Sequence, residues 1–322
     1  MSMSPMVENG DNDRAMRPRS FDEYIGQKQL VNKLKIAIES SRKRNEPVDH
    51  ILLGGGAGLG KTTIAYLVAN SLSDEPRCIA APSISSLGDL IEILTGLTHQ
   101  SVLFLDEIHA LSKKLEEHFY SAMEDFKIDI KTNKKIITFK LPRFTLIGAT
   151  TKPGMLLKPM YDRFGIIHTM DFYSIEELTD IADLATRKLD ISCSKNVLIS
   201  ISQRSRGVPR VCNRLMRRLR DYHLVYSNGQ ISMDSVIKSM EIEGVDENGL
   251  TQTDKKYLNI IIDIYNGGPV GINAIIASMG EDKRTIEEVV EPFLLRMGYV
   301  ARDLRGRIIT EKGESVVKNS QE

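Results

Sequence analysis

The stretch Gly55-Gly56-Ala57-Gly58-Leu59-Gly60-Lys61-Thr62 constrains this chain more than any other. It has the spacing G-x-x-x-x-G-K-[ST], follows the apolar run Ile51-Leu52-Leu53 and precedes a helical pattern from Thr62 to Ser71. A strand, a glycine-rich turn and a helix in that order form a phosphate cradle. The glycines let backbone N–H groups curl around phosphate oxygens, and the helix N-terminus adds its partial positive charge. Lys61 is placed to reach β- and γ-phosphates, and Thr62 to put its hydroxyl on Mg2+.

Such a unit belongs in a buried parallel sheet. From Arg17 to about Phe172 the runs Cys78-Ile79-Ala80, Val102-Leu103-Phe104-Leu105, Phe144-Thr145-Leu146-Ile147 and Ile166-Ile167 alternate with amphipathic stretches. Short, wholly apolar runs separated by helices indicate parallel strands in a layered α/β domain. The run Val102–Leu105 ends in Asp106-Glu107, where a nucleotide site needs acids. Asp106 would hold the Mg2+ shell through water, and Glu107 would polarise the attacking water. Neighbouring side chains on a strand point to opposite faces, so the two acids need not share a task. Gly148-Ala149-Thr150-Thr151 ends the next run. Ligands of layered sheets sit at the carboxyl ends of strands, which makes Thr150 or Thr151 a candidate γ-phosphate sensor. Arg163, before the last strand, and Arg210, after Pro209, are candidate phosphate arginines, although arginines in such places are also ordinary surface ion-pair residues.

The length of 322 residues with 41% hydrophobic content suits two or three domains rather than one core. We expect a tail over 1–16, an α/β ATPase domain over 17–173, a helical lid over 174–248 and a winged-helix domain over 249–322. In the lid, Ser174-Ile175-Glu176-Glu177 reads as a capping box, Val208 to Val225 is apolar at helical spacing, and Asn228-Gly229 marks a turn. The last part reads as helices near Asp254–Tyr265, Ile272–Met279 and Thr285–Met297. Strands follow at Tyr299-Val300-Ala301 and Arg307-Ile308-Ile309. Three helices and a β-hairpin make the winged-helix plan. No run approaches the roughly 20 apolar residues of a membrane helix, and Met1 to Asp13 lacks an apolar core, so a cytoplasmic address without a membrane is expected. Cys78, Cys193 and Cys212 have no CxxC spacing and read as thiols, not as a metal cage.

Lysine plus arginine and aspartate plus glutamate number 43 each, so any DNA contact must be local. Arg302, Arg305 and Arg307 cluster on the predicted wing, suited to sequence-independent phosphate contact. Glu287, Glu288 and Glu291 lie on the would-be recognition helix and are expected to repel phosphates there. The arginines at 210, 214, 217, 218 and 220 ring one face of a helix and read as lid or interface charges.

Several flanking stretches resemble the RuvB family of bacterial AAA+ branch-migration motors. They are Arg17-Pro18 with Tyr24-Ile25-Gly26-Gln27, Phe104 to His109, Ala122 to Phe126, Phe144 to Thr151, Asp162-Arg163-Phe164-Gly165, Ser205 to Arg210, Gly267 to Gly271 and Arg305-Gly306-Arg307. The similarity runs in unbroken order from about 17 to 310. It implies a hexameric ring ATPase acting on Holliday junctions with a RuvA-like partner, ATP as substrate and Mg2+ as cofactor. By that resemblance the ATP contacts are Met16, Arg17, Tyr24, Ile25, Gly58, Leu59, Gly60, Lys61, Thr62, Thr63, Glu124, Asp125, Phe126, Thr150, Tyr173 and Arg210. Arg163 would be a finger reaching a neighbour's ATP, and Arg302 and Arg307 would contact DNA.

The chain departs from the family pattern at Gly56 and Ala57, where two prolines are usual, at Tyr161 and Ala110, where arginines are usual, and in a shortened hairpin over 127–140 with a basic tip at 131–135. Two other functions fit an ATP-binding chain of this kind. A clamp-loader-like switch would carry a helical collar as third domain. An ATP-gated DNA-binding scaffold would be indifferent to Glu107→Gln.

Overall fold

The computed structural model describes residues 15–72, 74–131, 136–226 and 230–319. The tail before residue 15, the hairpin tip 132–135 and the Asn228-Gly229 turn lie outside them. The chain packs as two compact units. One extends to Lys188 and takes in Val208–Asn213; the other comprises Leu189–Gly207 and Arg214 onward.

The first unit is a five-stranded parallel sheet in the order β2-β3-β6-β1-β7. The strands are β1 (Ile51–Gly54), β2 (Arg77–Ala80), β3 (Val102–Asp106), β6 (Thr145–Thr150) and β7 (Ile166–Thr169). All five apolar runs read from the sequence are strands. β1 and β6 are buried throughout, because helices cover both faces of such a sheet. Helices α1 (Lys28–Arg44), α2 (Lys61–Ser71), α3 (Leu87–Thr95) and α4 (Lys113–Glu124) belong to this unit, as do the hairpin β4 (Lys127–Lys131) and β5 (Ile136–Lys140) and the single turn α5 (Lys158–Tyr161). The register sets Gly54 beside Thr150 on one side and Thr169 on the other, and Leu105 beside Gly148. The carboxyl ends of β1, β3 and β6 therefore lie along one edge.

Helix α6 (Ile175–Leu189) opens with the expected capping box: Ser174 N donates to Glu177 Oε2 at 2.9 Å and Glu177 N to Ser174 Oγ at 3.1 Å. In the second unit, α7 (Lys195–Arg204), the later part of α8 (Pro209–Tyr226) and α9 (Met233–Ile242) precede the winged helix. That domain contains α10 (Gln252–Asn259), α11 (Ile272–Met279), α12 (Lys283–Thr285) and α13 (Glu291–Arg296). An antiparallel wing of β8 (Val300–Arg302) and β9 (Arg307–Ile309) follows, and α14 (Glu311–Asn319) closes the chain. A wing thus stands where a clamp-loader-like chain would carry a helical collar.

Two expected helices are interrupted by π segments, Ile260–Ile264 and Ile286–Val290, and α14 was not anticipated. Arg206 ties the lid loop to the winged helix. Its Nε donates to Gly249 O at 2.8 Å, its guanidinium pairs with buried Asp254, and it lies 4.4 Å over the Phe293 ring. These contacts explain why lid and winged-helix residues share one unit. The core beneath them is built from Tyr257, Leu258, Ile261, Ile275, Ile286 and Leu294.

Candidate nucleotide site and wing

The loop from Gly55 to Gly60 leaves β1 and enters α2 through left-handed glycines, with φ of 126° at Gly55, 79° at Gly58 and 104° at Gly60. A side chain on Gly58 would meet Val208 Cγ1 at 2.8 Å and Arg210 Cβ at 3.0 Å, so only glycine lets this loop approach the start of α8. Lys61 is buried, and its Nζ donates to Gly55 O at 2.7 Å and Gly56 O at 2.8 Å. The ammonium is thereby held inside the arc of the loop. Burial pulls its pKa below the usual lysine value, against the opposing pull of Asp106 and Glu107. Burial, then the neighbouring Glu107, pushes the Asp106 carboxyl upward.

One pocket gathers Met16, Arg17, Tyr24, Ile25, Gly58, Gly60, Lys61, Thr62, Thr63, Asp106, Glu107, Tyr173 and Arg210. Thirteen of the residues expected at the nucleotide thus line one cavity of the first unit. Arg17 lies 4.7 Å over the Tyr66 ring. Tyr173 OH donates to Leu59 O at 3.2 Å and stands 2.8 Å from Tyr24 OH. Burial drives the Tyr173 phenol up to about 12. Gly26 makes room for that ring: a Cβ there would come within 2.5 Å of Tyr173 Cε1.

Leu59 and Thr150 are fully buried and do not line the pocket. Leu59 contributes its carbonyl to Tyr173. Thr150 Oγ1 lies 2.9 Å from His109 Nδ1 and accepts from Lys152 N at 2.9 Å. Thr151 is the hydroxyl that reaches Glu107, at 3.2 and 3.4 Å from its two carboxylate oxygens. Glu107 itself sits in the left-handed region at φ 50°. For a non-glycine residue that costs on the order of 1–3 kcal/mol and persists where surrounding contacts over-determine it.

Glu124, Asp125, Phe126 and Arg163 lie apart from this pocket. Arg163 donates from Nη2 to Glu124 Oε2 at 2.8 Å and from Nη1 to Pro159 O at 2.7 Å, and its guanidinium lies 4.8 Å over the Tyr120 ring. With Phe126, His50 and Arg143 it lines a separate cleft.

The wing corrects two expectations. Glu291 does not face solvent on the recognition helix; it is fully buried. It accepts from Tyr257 OH at 2.9 Å, from Arg307 Nε at 2.5 Å, and from Arg302. Burial alone would raise its carboxyl pKa, but the hydrogen bonds from Arg307, Arg302 and Tyr257 more than offset this and hold it below the usual glutamate range. Glu291 follows directly on the π segment Ile286–Val290 and opens the next helical segment. Arg302 and Arg307 both bind this carboxylate, which draws Arg307 inward while Arg302 stays exposed. Arg307 is 16% exposed and Arg302 49%, while Arg305, at 76%, is the arginine that projects most.

Residues 16–170 match the family model for the Holliday junction DNA helicase RuvB P-loop domain, 173–246 the RuvB AAA lid domain, and 247–318 the RuvB C-terminal winged helix domain. The chain is 46% identical over 303 residues to the Holliday junction branch migration complex subunit RuvB of Fusobacterium nucleatum, covering 93% of this chain and 91% of that protein. The chain belongs to the RuvB family. Its structure is similar to that of the Thermotoga maritima RuvB Holliday junction branch migration motor, with a TM-score of 0.86 at 43% identity, covering 94% of this chain and 98% of that one. A Thermotoga maritima RuvB mutant gives 0.87 at 44% identity, with the same coverages.

Within this RuvB fold, sequence reasoning missed the apolar wall of the pocket. Ile181, Leu184 and Ala185 of α6 line it, with Lys188 and Asn213. Their i, i+3, i+4 spacing reads as a core-facing stripe, and nothing local distinguishes a stripe facing a core from one facing a ligand. The hairpin pairs Ile128 with Phe139 and Lys131 with Ile136. Ile128 is buried and Ile136 is 66% exposed.

Proposed function

We propose that this chain is an ATP-hydrolysing motor that drives branch migration of Holliday junctions in recombination and repair. The observation that carries the reading is the single pocket in which the phosphate loop, Lys61, Thr62, Asp106, Glu107 and Arg210 converge, in a chain that also bears a winged helix. The residues fit a magnesium nucleotide. The left-handed loop is a cradle that Cβ atoms would obstruct at Gly58, and Thr62 and Asp106 offer the hard oxygen donors that Mg2+ prefers. Bound Mg2+ would neutralise developing phosphate charge.

The chain's own groups do the rest. Lys61, released from its two carbonyls, binds the β- and γ-phosphates. Glu107 polarises a water whose oxygen forms the new bond to the γ-phosphorus, while the bond to the ADP oxygen breaks with its electron pair. The water's proton passes towards the Glu107 carboxylate and is then taken up by the released phosphate. Arg210 adds a cation from the start of α8.

Arg163 lies outside its own subunit's pocket, which supports a finger acting on a neighbour's nucleotide in a ring, with Glu124, Asp125 and Phe126 beside it at the same face. Arg305, with the outer edge of Arg302, is the wing's phosphate contact in this reading. A hexamer, a RuvA-like partner and a cytoplasmic address complete it, as does the division at 17–173, 174–248 and 249–322. Among the described residues no helix is long and apolar enough to cross a membrane.

The test is phosphate release with and without four-way junction DNA. Native protein should turn over, and Arg163→Ala should lose about 10³-fold or more. Mixing Arg163→Ala with Lys61→Ala subunits should restore part of the rate. No recovery at any ratio would refute shared sites, and an inactive native chain would refute the motor.

A further inference from the structure

The carboxylate of Glu107 is held unsymmetrically. Its Oε2 lies 3.1 Å from His109 Nδ1, 3.2 Å from Thr151 Oγ1 and 3.3 Å from Thr151 N. Among the described residues its Oε1 meets only Thr151 Oγ1, at 3.4 Å. Three contacts converge on one oxygen, which leaves the other as the oxygen available to the pocket that Glu107 lines. His109 is in turn fixed by Thr150, whose fully buried hydroxyl lies 2.9 Å from the same Nδ1 and accepts from Lys152 N. A carboxylate can only accept, so the approach of Nδ1 to Oε2 is favourable when Nδ1 carries the proton, and Thr150 Oγ1 can accept from the same N–H. An anchor of this kind requires His109 in the Nδ1–H form.

Building on the ATP-hydrolysing reading above, we infer that His109 is the positioning residue of the reaction. With Thr150 behind it, it anchors Glu107 Oε2 and turns Oε1 towards the attacking water. The left-handed backbone at Glu107 supplies the reason such an anchor is needed. A non-glycine residue in that region persists where surrounding contacts over-determine it, and the contacts of Thr151 and His109 with the carboxylate are among them. His109 comes from the short turn Ile108–Ala110, and Thr150 and Thr151 from the end of β6 and the residue after it. The end of β6 therefore has two tasks: Thr151 touches Glu107 directly, and Thr150 acts through His109. His109 is 13% exposed and is absent from the nucleotide pocket's lining, so it acts through Glu107, not on the nucleotide.

Two measurements on the full chain test this. In protein with 15N-labelled histidine, the ring-nitrogen shifts of His109, assigned by loss of its signals in His109→Leu, should report a protonated Nδ1 and an unprotonated Nε2. Glu107→Gln should move the Nδ1 signal. The opposite tautomer, or a signal indifferent to Glu107→Gln, overturns the inference whatever the ATPase rate.

The second measurement is steady-state ATPase on junction DNA. His109→Leu should lower kcat by on the order of 10²-fold, the cost of a misaligned catalytic group, with KM and the binding of a fluorescent ATP analogue unchanged. His109→Asn, whose amide N–H can replace Nδ1–H, should recover much of the rate. Glu107→Gln combined with His109→Leu should be no slower than Glu107→Gln alone. Equal losses for Leu and Asn, a rise in KM alone, or additive losses would overturn the proposal. A native chain that never releases phosphate, yet shows the Nδ1–H tautomer responding to Glu107→Gln, would sink the motor reading while leaving the anchor in place.

Discussion

Replacing Glu291 by glutamine should loosen the wing, and the size of the effect follows from the contacts. Glutamine keeps the shape and one carbonyl oxygen for Tyr257, but it removes the charge that two arginines share. A hydrogen bond to a charged group contributes about 1.5–3 kcal/mol, against about 0.5–1.5 for a neutral one, so each arginine loses roughly 1–1.5 kcal/mol. Arg307, at 16% exposure, carries that difference nearly in full, whereas Arg302, at 49%, carries about half because water screens it. The sum is about 1.5–2.2 kcal/mol.

Amide hydrogen exchange over residues 300–309, followed by mass spectrometry, reads it directly. At about 1.36 kcal/mol per tenfold, exchange in the variant should be roughly 10- to 40-fold faster, while peptides of the first unit stay unchanged. The same contacts fix a pH dependence. The folded carboxyl titrates below its unfolded value, so its stabilisation is fully present above about pH 4.3 and is lost as pH falls through the lower, folded value. Native protein and variant should therefore converge in acid and differ most near neutrality. A difference under twofold at pH 7, or a gap that widens in acid, would refute the claim that Glu291 anchors the wing as a buried carboxylate.

Two further substitutions probe the pocket. Gly58→Ala places a Cβ into Val208 and Arg210 at a left-handed position, costing about 2–4 kcal/mol; titration with a fluorescent ATP analogue should show affinity weaker by on the order of 10²-fold, and unchanged affinity would mean that the loop adopts a different path. Tyr173→Phe removes the hydroxyl contacts to Tyr24 and Leu59 O at a cost of about 0.5–1.5 kcal/mol; thermal unfolding should drop by a few degrees and nucleotide affinity by less than about tenfold, whereas a loss as large as that of Gly58→Ala would assign the hydroxyl a direct role in binding.

Much of this protein was legible one segment at a time. The phosphate loop needs its glycines and lysine at fixed spacing because backbone amides must wrap a small anion, and that demand is written within eight residues, Gly55 to Thr62. The five strands were readable because a sheet covered on both faces demands uninterrupted apolar runs, and Ser174 to Glu177 declares a helix start because both halves of the cap are local. Tertiary structure alone decided which groups meet across the sheet. That Asp106, Glu107 and Thr151 share an edge with the loop depends on the strand order β2-β3-β6-β1-β7, which no single strand encodes. The apolar wall of Ile181, Leu184 and Ala185 looks like any helix stripe until a pocket forms beside it. The wing shows the limit most clearly. Glu291, Arg302 and Arg307 read as surface charges by residue type, yet the glutamate is buried, and there desolvation makes it demand both arginines. Residue type sets what a charge needs, and only packing decides whether water or a neighbouring side chain supplies it.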